Sequence, residues 1–152
     1  MIINIILFII FIIYGLFTSI IDIQSKSVYC FSNYLFLFFS LLLILFANGI
    51  DDFFRIFLIM FFYGLIIITL FAIFNVGNGD AEILLCLVPL LYHISNCNIF
   101  ITMNYLILQL LFALFLALFV QGIKYIFVKN KEDFAFAPYI MIVTLLFFIL
   151  IL

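Results

Sequence analysis

The fold class predicted by the sequence is all-α: a polytopic integral membrane protein of about six transmembrane helices. Three observations predict it. Hydrophobic residues make up 72% of the 152 positions and charged residues only 8%. The mean hydropathy is +1.61, far outside the range of water-soluble domains. The few polar residues gather in short breaks between apolar runs, each long enough as helix to cross most of a bilayer. Bilayer interiors offer no water to satisfy backbone groups, so apolar runs of this kind form helices.

The elements follow in order. The first run, Ile2–Ile21, has no basic segment ahead of it, exceeds the length of a signal-peptide core and lacks a small-residue cleavage site, so it reads as a span. The break Asp22–Ser27 separates it from a second span, Tyr29–Ala47, which Asn48–Asp52 ends. A third span, Phe53–Phe74, runs to the break Asn75–Asp80. The fourth, Ala81–Ile94, is short and contains Pro89, which predicts a kinked helix packed among its neighbours rather than facing lipid. Ser95–Asn98 leads into a long fifth span, Ile99–Phe127, and Val128–Asp133 into the sixth, Phe134–Leu152. None of the breaks is long enough to fold separately, so residues 1–152 read as a single transmembrane domain.

The net charge of -2 arises from few groups and forms no basic patch, which excludes a nucleic-acid partner; the lipid bilayer is the partner the composition demands. Cys30, Cys86 and Cys97 form no CxxC pair and read as buried apolar thiols. His93 is the only histidine and reads as an interfacial residue, so no paired-histidine metal or haem site is expected. Phenylalanine and isoleucine are in excess, without a catalytic reason.

Lysine and arginine accumulate in short cytoplasmic loops. With six spans, Lys26, Lys124, Lys129 and Lys131 share one side, and Arg55 with Asp51 and Asp52 falls opposite. Both termini are then expected outside the cytoplasm. The same parity brings Asp22 and Asp80, far apart in sequence, to the cytoplasmic face.

Two carboxyls at one depth are what an aspartyl protease requires. They cannot both ionise cheaply, so they share a proton; the anion activates water and the neutral partner supplies the acid. Asp80 opens a helix, where dipole and free amides favour an anion, and Asp22 closes one, so Asp22 is expected to hold the proton. Gly77-Asn78-Gly79-Asp80 sets two glycines where the backbone can turn tightly and meet a substrate closely. Read from the residues alone, the same pattern also describes an ordinary helix start.

These residues resemble the type IV prepilin peptidases, the GxGD aspartyl proteases. Asp22-Ile23-Gln24-Ser25-Lys26-Ser27-Val28, then Asn33, is similar to that family's first motif; Gly77 to Asp80 with Ala81-Glu82-Ile83-Leu84 to its second; Phe136-Ala137-Pro138-Tyr139 to a Phe-Gly-Pro-Phe element near its C-terminus. The resemblance spans essentially the whole chain. It implies Asp22 and Asp80 as catalytic, Gly77 and Gly79 as supporting, and Phe136, Pro138 and Tyr139 as shaping a substrate groove, with no cofactor or metal. It also implies a prepilin or pseudopilin precursor as substrate, cut at the cytoplasmic face of the inner membrane in a pilus or secretion system. The chain departs from the pattern at Tyr29, where proline is common, and at Glu82, where lysine is common and a third acid now stands near the pair. The chain is similar to the short, peptidase-only members, since the paired cysteines of the larger bifunctional ones are missing. A presenilin-type relative would show Tyr-Asp and Pro-Ala-Leu motifs; Asp22 follows Ile21, and the prolines are Pro89 and Pro138. From another class, a noncatalytic subunit of such an assembly, or a small transporter, would use the aspartates for structure or ion binding.

Overall fold

A computed structural model describes residues 2–25, 30–74, 78–128 and 135–151. Its order is α1 (Ile2–Ser25), α2 (Cys30–Asn48), α3 (Ile50–Phe74), α4 (Asn78–Cys86), α5 (Val88–Ile94), α6 (Ile99–Val128) and α7 (Ala137–Ile151), with no strand among the described residues. Within α1, α2, α3 and α6, the stretches Ile5–Ser25, Phe31–Asn48, Ile50–Phe71 and Ile99–Ile123 are long and apolar enough to cross a membrane. The protein is an all-α, multi-pass membrane protein.

Five helices follow one another round a closed ring: α1 packs on α2, α2 on α3, α3 on α6, α6 on α7, and α7 back on α1. The fourth apolar stretch fills the ring. α4 lies against α2 and α3, and α5 against α2, α3 and α6. Leu87, between them, keeps right-handed helical dihedrals (φ -82°, ψ -11°). Helical hydrogen bonds bracket it, Leu87 N to Ile83 O at 3.2 Å and Leu91 N to Leu87 O at 3.1 Å. The two pieces are therefore one helix kinked by Pro89, whose ring removes an N–H and crowds the carbonyl four residues back. Val88, Pro89, Leu90, Leu91, Tyr92 and Ile94 are all buried, the submerged kinked helix that its length and its proline predict.

Element ends shift for local reasons. α1 continues past Ile21 to Ser25, whose hydroxyl bonds the Ile21 carbonyl at 2.8 Å. α3 starts at Ile50 rather than Phe53 because Gly49, at φ +92°, ends α2 in the left-handed conformation and lets the next helix begin at once. Asp51 and Asp52 then occupy the first turn of α3, where the helix dipole favours acids. α6 begins behind Asn98, whose Oδ1 accepts from Ile101 N at 3.2 Å.

Lipid offers apolar contact as readily as protein does, so helices here associate through packing and interhelical hydrogen bonds. Tyr63 of α3 donates to the Leu106 carbonyl of α6 at 3.1 Å, and Gln109 of α6 donates to Thr144 of α7. Phe46, Phe100 and Phe115 point outward with other large apolar side chains. The phenylalanine and isoleucine excess thus clothes a lipid-facing exterior.

Candidate active site

Asp22 stands in the last turns of α1. Its side chain is only 4% exposed, and Oδ2 accepts the backbone N–H of Ala137 at 3.0 Å. Ala137 is the first residue of α7, and Pro138 after it has no N–H to offer. Tyr139 N turns back to the Phe136 carbonyl at 3.1 Å. Asp22 therefore caps a helix distant in sequence, with its carboxyl at the positive end of the α7 dipole.

Asp80 occupies the first turn of α4, in the break ahead of the fourth apolar stretch and outside the four long spans. It is half-buried, and its Oδ1 is buried without a hydrogen-bond partner. Burial, and then the charge of Asp22, push this carboxyl up to about 7. The two acids are thus close enough for one to act on the other's ionisation. The Ala137 amide, supplied by the fold and invisible in the local sequence, gives Asp22 a donor, while one oxygen of Asp80 is buried without one.

Gly79 lies within the first turn of α4 without a positive φ, so the tight backbone turn expected there is not at this residue. Gly77 lies outside the described residues, as do Tyr29, Lys26, Lys129 and Lys131. Lys124 falls within α6.

The Phe136–Tyr139 element meets Asp22, but its side chains diverge. Phe136 is 1% exposed and packs edge-on against Phe71, with centroids 6.3 Å apart. It is a core plug under the start of α7 rather than a groove wall, because an aromatic ring with no polar group gains most by full burial. Pro138 does line a groove of about 270 Å³ between α1 and α7, together with Gly15, Ser19 and Met141. A Cβ on Gly15 would stand 3.3 Å from the Met141 sulfur, so glycine there gives that side chain room. Ser19 is one turn before Asp22, so the groove runs toward that carboxyl. Tyr139 is half-buried.

Glu82, the third acid, is directed at α2 and not at the pair: its Oε2 accepts from Asn33 Nδ2 at 3.3 Å. Two residues along a helix turn a side chain by about 200°, so Asp80 and Glu82 face opposite ways. Tyr14, unnoticed in the sequence, donates to Asn33 Oδ1 at 2.7 Å. Its only signal is a phenol in the middle of an apolar span, where a hydroxyl must find a partner. Cys86, as expected, is a buried thiol, and it also donates to the Asn33 carbonyl at 3.3 Å. Among the described residues no three metal-ligating side chains converge.

Chemically, the arrangement offers two neighbouring carboxyls, one hydrogen-bonded to the start of α7 and one with an unpartnered oxygen, near the end of a groove between α1 and α7. Comparison with protein-family models, with curated proteins and with solved structures finds no match to this chain.

Proposed function

We propose that the protein is an intramembrane aspartyl endopeptidase of the prepilin-peptidase type. It removes the leader of a pilin-like precursor at the cytoplasmic face of the inner membrane, with both of its own termini on the far side. The observation that carries this reading is the electrostatic pairing of Asp22 with Asp80, one hydrogen-bonded to the α7 amide and the other left with a buried, unpartnered oxygen.

In this reading the Asp22 carboxylate takes a proton from water as the water oxygen attacks the scissile carbonyl carbon. Asp80 gives its proton to the carbonyl oxygen, so a neutral gem-diol forms. Collapse breaks the C–N bond, the amine leaves with the proton gathered by Asp22, and the diol returns a proton to Asp80. Each carboxyl ends as it began. The α1/α7 groove supports the reading because an apolar helix seated there brings its end to Asp22. The basic leader remains outside the bundle, on the lysine-rich side.

Cleavage of a prepilin-like precursor, read as a size shift after co-expression, tests the proposal. Asp22→Asn and Asp80→Asn each abolish processing while the protein still inserts. Normal processing by either variant rejects the pair, and failed pilus assembly with processing intact would identify a noncatalytic subunit instead.

A further inference from the structure

A buried hydrogen-bond chain beside the pair takes no part in the chemistry above. Tyr14 of α1 donates to Asn33 Oδ1 at 2.7 Å, and Asn33 Nδ2 donates to Glu82 Oε2 of α4 at 3.3 Å. The Asn33 backbone carbonyl also accepts from the Cys86 thiol at 3.3 Å. Asn33 itself has 0% exposure. One residue of α2 thus joins the helix that carries Asp22 to the helix that carries Asp80.

The directions of these bonds fix the amide. A carboxylate oxygen must take from the amide nitrogen, which leaves the carbonyl oxygen to accept the phenol O–H, so a flipped side chain would lose the bond to Glu82. Glu82 and Cys86 are one turn apart on the same face of α4. Asn33 therefore grips that face at two points, which sets both the depth and the rotation of the helix. The opposite face bears Asp80. Tyr14 braces the grip from α1 and stacks on Phe36, with ring centroids 4.2 Å apart. Bonds of this kind matter more than usual where no water is at hand to replace them.

We infer that Asn33 is the positioning residue of the pair: through Glu82 and Cys86 it holds α4 at the rotation that turns Asp80 toward Asp22. Its consequence for rate rests on the peptidase reading, but its consequence for the two carboxyls does not. A shift of about 1 Å in a reacting group costs on the order of 10²-fold in rate.

The test uses the full chain in micelles with a prepilin-like precursor. Asn33→Asp keeps the acceptor for Tyr14 and loses the donor to Glu82. It is expected to lower kcat about 10²-fold with KM within about twofold, as befits a group that orients the reaction and does not bind substrate. Adding Glu82→Gln reverses the donor and acceptor, since the amide introduced on α4 can donate to the carboxylate introduced on α2, and this double variant is expected to regain most of the rate. Tyr14→Phe, a milder change that leaves the Asn33 to Glu82 bond in place, is expected to show the same kcat effect, smaller in size. Carbon-13 titration of the aspartate carboxyls reads the geometry without cleavage. Asp22 and Asp80 titrate as an interacting pair in the native chain, uncouple in Asn33→Asp and couple again in the double variant. Unchanged kcat and unchanged coupling in an inserted Asn33→Asp variant, or no recovery of either in the double variant, overturns the inference. Because the titration needs no substrate, loss of the peptidase reading and loss of the clamp are separately visible.

Discussion

The two ends of the central kinked helix carry similar residues and use them differently. At the α5 end Asp52 has every reason to be quiet: Tyr92 donates to it at 2.9 Å and Arg55 pairs with it at 3.2 Å. Around it Asn48 donates to Cys97, Ser95 meets Thr102, and Asn98 caps α6. This is a knot of hydrogen bonds that ties the α2–α3 and α5–α6 turns together. At the α4 end Asp80 has no cation among the described residues, a buried oxygen without a donor, and a second acid for a neighbour. An acid with donors around it is scaffolding, and one left wanting is where the proposed reading places its reagent.

The sharpest way to break this contrast is to neutralise each acid in turn. Asp80→Asn and Asp22→Asn should each lower precursor cleavage by about 10²- to 10⁴-fold, the range supplied by a positioned acid or base. Asp52→Asn should leave cleavage intact in the same gel assay.

Next in size is Ala137→Pro. Proline fits the first position of a helix, so α7 still starts, yet the donor to Asp22 is gone. A hydrogen bond to a charged group contributes about 1.5–3 kcal/mol, which predicts a rate about ten- to a hundredfold lower in single-turnover cleavage.

The pH dependence is smaller at any one step. Asp80 must carry its proton to act as the acid, so cleavage should fall as pH rises through about 7. Between the ordinary value of 3.8 and about 7 the fold keeps a proton that the unfolded chain releases. Stability therefore declines with rising pH across that window, and Asp80→Asn should flatten the decline in denaturation followed by circular dichroism. The smallest effect is that of Tyr92→Phe. It should cost about 0.5–1.5 kcal/mol of stability and leave cleavage unchanged.

Much of this architecture is legible in the residues. Apolar runs bounded by polar breaks mark each helix, and Pro89 foretells the kink and the burial of the fourth stretch. Loop parity already brings Asp22 and Asp80 to one face. The partner of Asp22 is not legible, because it is an amide of Ala137 that comes from the other end of the chain and belongs to no side chain. Nor is the burial of Phe136, expected as a groove wall, since a motif states which residues are present and not which way they face. The orientation of Glu82 is within reach of the sequence, because a spacing of two on a helix already sends it away from Asp80.

The central rod is also short. Its two pieces hold nine and seven residues, which at 1.5 Å per residue rise about 24 Å against a hydrocarbon thickness of about 30 Å. Lipid does not meet this rod, because the longer helices of the ring stand around it, so its shortness leaves a hollow walled by protein rather than a strain on the bilayer.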